Sequence, residues 1–337
     1  MSNTNTGFPM IRNLQKKTLK IGGLAALSSV VALTGCSDGN DNAPGMVAMP
    51  PPAPCSGSES ALERLYLQQL TDTSVIIKWR GDATGACIGT DMAALETYVE
   101  ATSTDGDHKE VVFTGLMAEN RYYYSVGGAA SAPEDQWFQT NPAPGALPAD
   151  GNTRIWLIGD SGTGGDDERE DHEGEAVEVR EGMETFVAAD GEAIDLFIML
   201  GDNAYEIGSD FNYQQAVFET YPEQLKQTSV WPTIGNHEMG LFGVSSSADP
   251  DSWIARPGDD PIRMPYLDIF SLPQNAEAGG VASGTEQYYS FDHGNVHVVS
   301  LDSQLSARDA GQRATMRSWL IDDLSSNTSD WTVVIFH

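Results

Sequence analysis

Residues 193–205 read AIDLFIMLGDNAY, a largely apolar run that stops at a glycine and an aspartate. An apolar run of this length is typical of a strand buried on both faces, as in a parallel sheet. The glycine allows a sharp turn that directs the next side chain away from the strand end. The stretch therefore predicts a buried strand that delivers Asp202 to one edge of a sheet.

Three other apolar runs in the same part of the chain also stop at polar residues. They are residues 154–158 before GDSG (159–162), residues 230–234 before GNHE (235–238), and residues 331–336 before His337. Functional sites in α/β sheets assemble at the carboxyl ends of strands. We therefore expect Asp160, Asp202, Asn236 and His337 to meet at one place.

The donor atoms at these strand ends suit metal ions. A carboxylate can bridge two cations, an asparagine offers a neutral carbonyl oxygen, and a histidine offers an imidazole nitrogen. Two metal ions about 3.5–4 Å apart clamp an in-line displacement and generate hydroxide at mild pH. The pattern predicts a binuclear centre.

The rest of the chain after residue 152 predicts an α/β body. Residues 288–291 and 296–301 predict a hairpin that turns at Gly294-Asn295, and residues 314–324 predict an amphipathic helix. Buried strands with intervening helices are typical of layered α/β domains.

Residues 57–140 differ in texture and predict an all-β sandwich. Several short alternating segments with turn residues between them are typical of this architecture. Residues 115–126 (GLMAENRYYYSV) resemble the late strands of fibronectin type III-like domains. We interpret residues 141–152, rich in proline and glycine, as a linker, and His108 as part of an exposed turn.

The first 36 residues carry an export signal. A basic stretch precedes the apolar residues 21–33, and residues 33–36 (LTGC) resemble the bacterial lipobox. We predict lipidation at Cys36, with an ordinary exported protein cleaved nearby as the alternative. Residues 37–56 predict an extended tether. In an oxidising compartment Cys55 and Cys87 could pair, and the sequence leaves open whether they do.

Composition excludes some classes of partner. Asp and Glu number 49 against 18 Lys and Arg, for a formal net charge of −31. Nucleic-acid binding through a basic patch needs clustered Lys and Arg, and so does adhesion to anionic lipid. The acidic run at residues 166–173 lacks the glycine-centred pattern of a calcium loop, and we interpret it as a solvated face.

The ordered set GDSG, GDNAY, GNHE and VIFH resembles the calcineurin-like metallophosphoesterases, and within them the purple acid phosphatases. The resemblance covers residues 153–337. It implies a four-layer α/β/β/α catalytic domain, which in many of these enzymes follows a fibronectin-like domain. Most of the wider superfamily has a histidine two residues after the first aspartate, where this chain has Gly162. Purple acid phosphatases instead have a tyrosine three residues after the second aspartate, as Tyr205 is here.

A tyrosine ligand indicates the kind of metal. A free phenol has a pKa near 10, so a strongly acidic ion such as ferric iron is needed to deprotonate it. The resemblance therefore implies Fe(III) beside a divalent Zn, Mn or Fe ion.

The resemblance also implies a role for each residue. Asp160 and Tyr205 would bind the ferric ion, and Asp202 would bridge the two ions. The divalent ion would take Asn236 and His337. His237 would donate a proton to the leaving oxygen while metal-bound hydroxide attacks phosphorus.

The sequence departs from the family at one motif. The family's Gly-His-x-His motif is missing, and none of the six histidines replaces it convincingly. His293 and His297 flank a predicted hairpin turn and are interpreted as structural. We interpret the chain as C-terminally truncated, so activity is expected of the full-length protein and is in doubt for this chain.

The predicted function is an exported, lipid-anchored phosphatase for small phosphate monoesters. One alternative is a phosphodiesterase or nucleotidase with two divalent metals. Another is a non-catalytic surface lipoprotein with a degenerate phosphoesterase domain. The sequence leaves the substrate and the oligomeric state open.

Overall fold

A computed structural model describes residues 55–162, 175–239 and 264–337. The predicted signal segment with Cys36, nearly all of the tether and the acidic run at 166–173 lie outside the described residues. Within the described part, no helix is long and apolar enough to cross a membrane.

The N-terminal part consists of two antiparallel four-stranded sheets. Its strands are β1 (Arg64–Gln68), β2 (Ser74–Arg80), β3 (Gly85–Gly89), β4 (Thr97–Glu100), β5 (Thr102–Ser103), β6 (His108–Thr114), β7 (Arg121–Val126) and β8 (Trp137–Gln139). The sheet orders are β1-β2-β6-β5 and β4-β3-β7-β8. Trp79 from the first sheet and Tyr124 from the second belong to one buried apolar core, and both are fully buried. The prediction of an all-β N-terminal body is confirmed.

A disulfide bond joins Cys55 to Cys87, whose Cα atoms lie 6.0 Å apart. Cys87 lies on β3 and is fully buried. The bond therefore fixes the start of the described chain to the interior of the sandwich.

The C-terminal part contains two three-stranded sheets. The first, ordered β11-β10-β9, is parallel; in the second, ordered β12-β13-β14, β12 is antiparallel to β13 and β13 is parallel to β14. The strands are β9 (Ile155–Ile158), β10 (Leu196–Met199), β11 (Val230–Pro232), β12 (Tyr289–His293), β13 (Val296–Ser300) and β14 (Trp331–Ile335). Trp231 stacks on Phe291 with ring centroids 3.8 Å apart, so the two sheets share a core.

Two long helices and several short helical segments connect these strands. They are α1 (Glu175–Asp190), α2 (Asp210–Tyr213), a π-helix (Gln214–Glu219), α3 (Pro222–Gln227), a 3-10 turn (His237–Met239), α4 (Pro265–Ile269) and α5 (Ala310–Ser326). The predicted α/β class and the hairpin at Gly294-Asn295 are confirmed. The predicted helix 314–324 is longer at both ends, and at its start Asp309 accepts a hydrogen bond of 2.7 Å from the backbone N–H of Gln312.

His297 links β13 to β12 and to α5. Its ring nitrogens lie 2.7 Å from Asp292 Oδ1 and 2.8 Å from Asp323 Oδ2, and its side chain is buried. Burial opposes the charged imidazole, but the hydrogen bonds to Asp292 and Asp323 outweigh it and raise the pKa of His297 to about 9. The interpretation of this histidine as structural agrees with these contacts.

Raising the pH should therefore weaken the fold at His297. A folded-state pKa above the ordinary 6.5 gives stability that is complete below that value and is lost as the pH rises through about 9. The free energy of unfolding should fall by about 2–3 kcal/mol more between neutral and strongly alkaline pH than in His297→Gln. Urea denaturation across this range measures the difference. Equal slopes in both proteins would refute the assignment.

The outer face of the β1-β2-β6-β5 sheet packs on the α/β body. Tyr66 donates a hydrogen bond of 2.6 Å to the carbonyl of Ile269, and Gln68 donates one of 3.0 Å to the carbonyl of Val230. Lys78, which is 2% exposed, donates to Ser271 Oγ at 3.0 Å. Buried polar groups are stabilised when partners satisfy them, as they do here.

The interpretation of His108 as part of an exposed turn was wrong. His108 is the first residue of β6 and is 1% exposed, and burial followed by the nearby charge of Lys78 lowers its pKa to about 3. Turn composition around it suggested exposure. The packing of the sandwich face, which covers the ring, is not visible in local sequence.

Candidate metal centre

The three Gly-Asp and Gly-Asn motifs follow the three strands of the parallel sheet. Asp160 comes after β9, Asp202 after β10, and Asn236 after β11. Asp160 and Asp202 adopt left-handed backbone conformations, with φ of 53° and 50°. Because parallel strands end at the same edge, the three loops lie side by side there.

His337 follows β14 of the other sheet and is separated from it by one residue, Phe336. Its Nε2 atom lies 3.3 Å from Asp202 Oδ2 and 3.2 Å from Asn236 Oδ1. The face-to-face packing of the two sheets therefore brings a fourth strand end to the same place. One ligand atom from each of Asp160, Asp202 and His337 lies within 4.8 Å of the others.

Asp202 occupies the middle of this group. Its Oδ2 atom lies 3.5 Å from the Tyr205 hydroxyl and 3.3 Å from His337 Nε2. The Tyr205 hydroxyl also donates a hydrogen bond of 3.0 Å to Asp160 Oδ1. Asp202 thus separates an Asp160–Tyr205 pair from an Asn236–His337 pair, and it is 3% exposed.

Backbone carbonyls orient the two histidines. The Nδ1 of His337 lies 2.9 Å from the carbonyl of Leu200, and the Nδ1 of His237 lies 2.7 Å from that of Glu206. A carbonyl accepts only, so Nδ1 carries the proton in both rings and the Nε2 lone pair of a neutral ring faces the site. His237 Nε2 lies 3.7 Å from Asp202 Oδ2.

Two glycines allow the loops to approach one another. A Cβ at Gly235 would lie 2.1 Å from the backbone nitrogen of Asp202 and 2.2 Å from its Oδ1. A Cβ at Gly162 would lie 2.6 Å from the backbone nitrogen of Ala204. The loop as folded here therefore has no room for any side chain at position 162, which includes the histidine of the wider superfamily.

Tyr205 lies among acidic groups. Burial raises the pKa of Tyr205, and the charges of Asp202 and Asp160 raise it further. Within residues 55–162, 175–239 and 264–337, no lysine or arginine pairs with Asp160 or Asp202. Two carboxylates and a phenol crowded together without a lysine or arginine fit a bound cation, for which carboxylate, phenol, amide and imidazole groups are suitable donors.

Glu238, the last residue of the GNHE motif, holds two of the strand-end loops together, a role that its sequence context does not indicate. Its carboxylate is 1% exposed and accepts backbone N–H bonds from Gly235 at 2.6 Å, Asn203 at 2.7 Å and Asp202 at 3.0 Å. Burial outweighs these hydrogen bonds and raises the pKa of Glu238 to about 7. An acidic residue two positions after a strand-end asparagine was the only local signal, and it gave no indication of these partners.

Comparison with known proteins identifies the family of the C-terminal part. Residues 153–337 match the family described as calcineurin-like phosphoesterase. The chain belongs to the calcineurin-like phosphoesterase family. All the described members of the predicted site lie within the matched region.

Curated relatives of this family member include two purple acid phosphatases of Arabidopsis thaliana. Purple acid phosphatase 22 is 25% identical over 267 residues, which cover 77% of this chain and 48% of the relative. Purple acid phosphatase 23 is 27% identical over 255 residues, which cover 69% of this chain and 49% of the relative. The chain spans about half the length of the curated relatives it matches.

Solved structures share the fold. Purple acid phosphatase PPD1 from yellow lupin (Lupinus luteus) seeds superposes with a TM-score of 0.61 at 17% identity, covering 82% of this chain and 51% of that one. A structure of PhoD superposes with a TM-score of 0.54 at 16% identity, covering 84% and 63%. At these identities the likeness concerns the fold.

Proposed function

We propose that this family member is a binuclear metal phosphatase of the purple acid phosphatase type that hydrolyses small phosphate monoesters. The observation that carries the proposal is the position of the Asp202 carboxylate between the Asp160–Tyr205 pair and the Asn236–His337 pair. Only a carboxylate or a similar anion bridges two cations while offsetting charge on both. The four-layer arrangement of the family is part of the proposal.

Each residue has a role that its contacts support. Asp160 and Tyr205 would hold Fe(III), Asn236 and His337 would hold a divalent Zn, Mn or Fe ion, and Asp202 would contact both. When bound, such ions supply hydroxide at mild pH and offset charge on the phosphoryl group. The negative charge of Asp160 and Asp202, which contributes to the raised pKa of Tyr205, would then be compensated.

His237 would handle the proton of the leaving group. Its Nδ1–H donates to the carbonyl of Glu206, so the ring is held with Nε2 towards Asp202. The ring edge also packs against Tyr205, with centroids 4.3 Å apart. A protonated His237 therefore presents its Nε2 proton to the site, where a departing alkoxide could accept it.

The proposal extends to location and partners. Export and lipid attachment at Cys36 rest on residues 1–36, and the membrane would be contacted through the lipid alone. The net charge of −31 repels anionic substrates at long range, so positive charge at the metal centre is needed to attract a phosphate ester.

Replacing Tyr205 by phenylalanine tests the ferric assignment. The protein loaded with iron should show a visible tyrosinate-to-iron absorption band, which Tyr205→Phe should lose because it removes the ligand oxygen. Tyr288→Phe is a matched control, since Tyr288 packs against Trp319 away from the site. Absorption spectra with iron quantification measure the result.

Two outcomes would contradict the proposal. An unchanged band in Tyr205→Phe would refute the tyrosinate ligand. A colourless, iron-free protein that hydrolyses bis(p-nitrophenyl) phosphate faster than p-nitrophenyl phosphate would favour a phosphodiesterase with two divalent metals.

A further inference from the structure

Asp210 joins the sandwich to the segment that follows the GDNAY motif. Arg64 on β1 donates to Asp210 Oδ1 and Oδ2 at 3.0 Å each and to its carbonyl at 2.9 Å. Arg80 on β2 donates to Asp210 Oδ2 at 2.7 Å. Burial opposes the charge of Asp210, but Arg80 and Arg64 outweigh it and lower the pKa of this carboxyl.

Arg64 is an anchor with little freedom to move. Its side chain is fully buried, its Nε donates to Gln214 Oε1 at 2.7 Å, and its guanidinium lies 4.5 Å from the centre of the Phe218 ring. Guanidinium–carboxylate pairs with two parallel hydrogen bonds fix orientation as well as distance. The sandwich therefore holds the first residue of α2 in one position.

Helix α2 is one turn long and connects this anchor to Glu238. Ser209 caps it by accepting from the backbone N–H of Asn212 at 3.1 Å, while the Asn212 side chain accepts from the backbone N–H of Ser209. The last residue of the turn, Tyr213, is fully buried and donates its hydroxyl to Glu238 Oε1 at 3.2 Å. Asp210 and Tyr213 are therefore the two ends of a single capped turn.

Glu238 then contacts two of the metal-site loops at once. Its two oxygens accept the backbone N–H groups of Asp202, Asn203 and Gly235, which belong to the β10 and β11 loops. Asp202 is the proposed bridging residue, and Gly235 precedes the proposed ligand Asn236. The contacts thus run from β1 and β2 of the sandwich to the backbone of the metal site.

We propose that Asp210 and Tyr213 are positioning residues, through which the β-sandwich holds the Asp202 and Asn236 loops in the geometry that binds metal. The link to metal rests on the proposed function, whereas the link to loop order does not. We call the contacts of Arg64, Arg80, Asp210, Tyr213 and Glu238 the positioning relay. In this arrangement the sandwich acts on the site without contributing a ligand.

A second ion pair between the two parts provides the control. Lys226 on α3 pairs with Asp135 of the sandwich at 2.5 Å, and both Asp135 and Asp210 are partly exposed. Within the described residues, no residue of α3 itself (Pro222–Gln227) donates a hydrogen bond to Glu238. Asp135→Asn therefore breaks the same kind of bond outside the relay.

Hydrogen exchange of the full chain without metal tests the relay directly. Asp210→Asn and Tyr213→Phe should each speed exchange of the Asp202, Asn203 and Gly235 amides by about 3- to 10-fold relative to wild type. Asp135→Asn should leave these amides unchanged. Tyr213→Phe removes only one hydroxyl, so it keeps the test decisive if Asp210→Asn lowers global stability.

Zinc titration of the same proteins by calorimetry adds the metal readout. The two relay variants should bind Zn²⁺ about 3- to 10-fold more weakly, which is less than the roughly 10- to 100-fold loss that follows removal of a direct partner of a metal ligand, because Asp210 and Tyr213 act through Glu238. Equal exchange at the three amides in wild type, Tyr213→Phe and Asp135→Asn would overturn the relay. Faster exchange in a protein whose wild type binds no Zn²⁺ would uphold the relay and refute the proposed metal function.

Discussion

Asp202→Asn should abolish the proposed metal centre and the proposed hydrolysis together. The Oδ2 atom of Asp202 is the point where the Tyr205 hydroxyl and His337 Nε2 converge, at 3.5 and 3.3 Å. An amide cannot offset the charge of two cations, so both ions should lose affinity. We expect p-nitrophenyl phosphate hydrolysis to fall by about 10³-fold or more, because activated hydroxide depends on the ions.

The matched control is Asp190→Asn. Asp190 pairs with Arg154, which precedes β9, whereas Asp160 follows the opposite end of that strand. The Asp190 side chain is 42% exposed. Metal content by mass spectrometry and hydrolysis should match wild type in this variant. If Asp202→Asn retained both ions and its activity, the bridging assignment would be wrong.

Glu238→Leu should cause the largest loss of stability at the site. The substitution leaves the buried backbone N–H groups of Asp202, Asn203 and Gly235 without their acceptor. Each unsatisfied buried donor costs about 1–3 kcal/mol, so the free energy of unfolding should fall by about 3–5 kcal/mol after partial relaxation. Urea denaturation in the presence of a chelator measures this loss apart from any metal effect.

Two further variants sharpen this prediction. Glu238→Gln keeps the shape of the side chain but turns an N–H₂ group towards two N–H donors. Its free energy of unfolding should therefore lie between those of the wild type and the leucine variant. Glu181→Leu, at an exposed position on α1, should change stability by less than about 0.5 kcal/mol. A Glu238→Leu protein as stable as the Glu181→Leu protein would disprove the organising role of Glu238.

Local patterns were sufficient for much of the fold. Apolar runs that end at Gly-Asp or Gly-Asn predicted β9, β10 and β11, and the Gly294-Asn295 turn predicted the hairpin. Each of these signals comes from residues that are close neighbours in the sequence, and the structure contains the elements that they predict. Within residues 57–140 the short alternating segments predicted the all-β class, and they did not indicate how the strands pair into two sheets.

The candidate site also contains residues that the sequence predicted and residues that it did not. Sequence motifs named Asp160, Asp202, Tyr205, Asn236 and His337, and the structure brings these side chains together. Glu238 and Tyr213 were missed because their roles depend on hydrogen bonds to residues that are distant in the sequence. A buried carboxylate and a buried phenol have no periodicity that distinguishes them from ordinary packing residues.

The sequence by itself determined the donor types, their order along the chain, and the division into an all-β part and an α/β part. Only the tertiary structure decided that the strand before His337 belongs to a second sheet, whose packing on the first brings the His337 ring to Asp202 and Asn236. It also decided that Arg64 and Arg80 hold Asp210. The reason is physical: turns and strands follow from neighbouring residues, whereas contacts over 100 residues apart depend on how whole sheets pack.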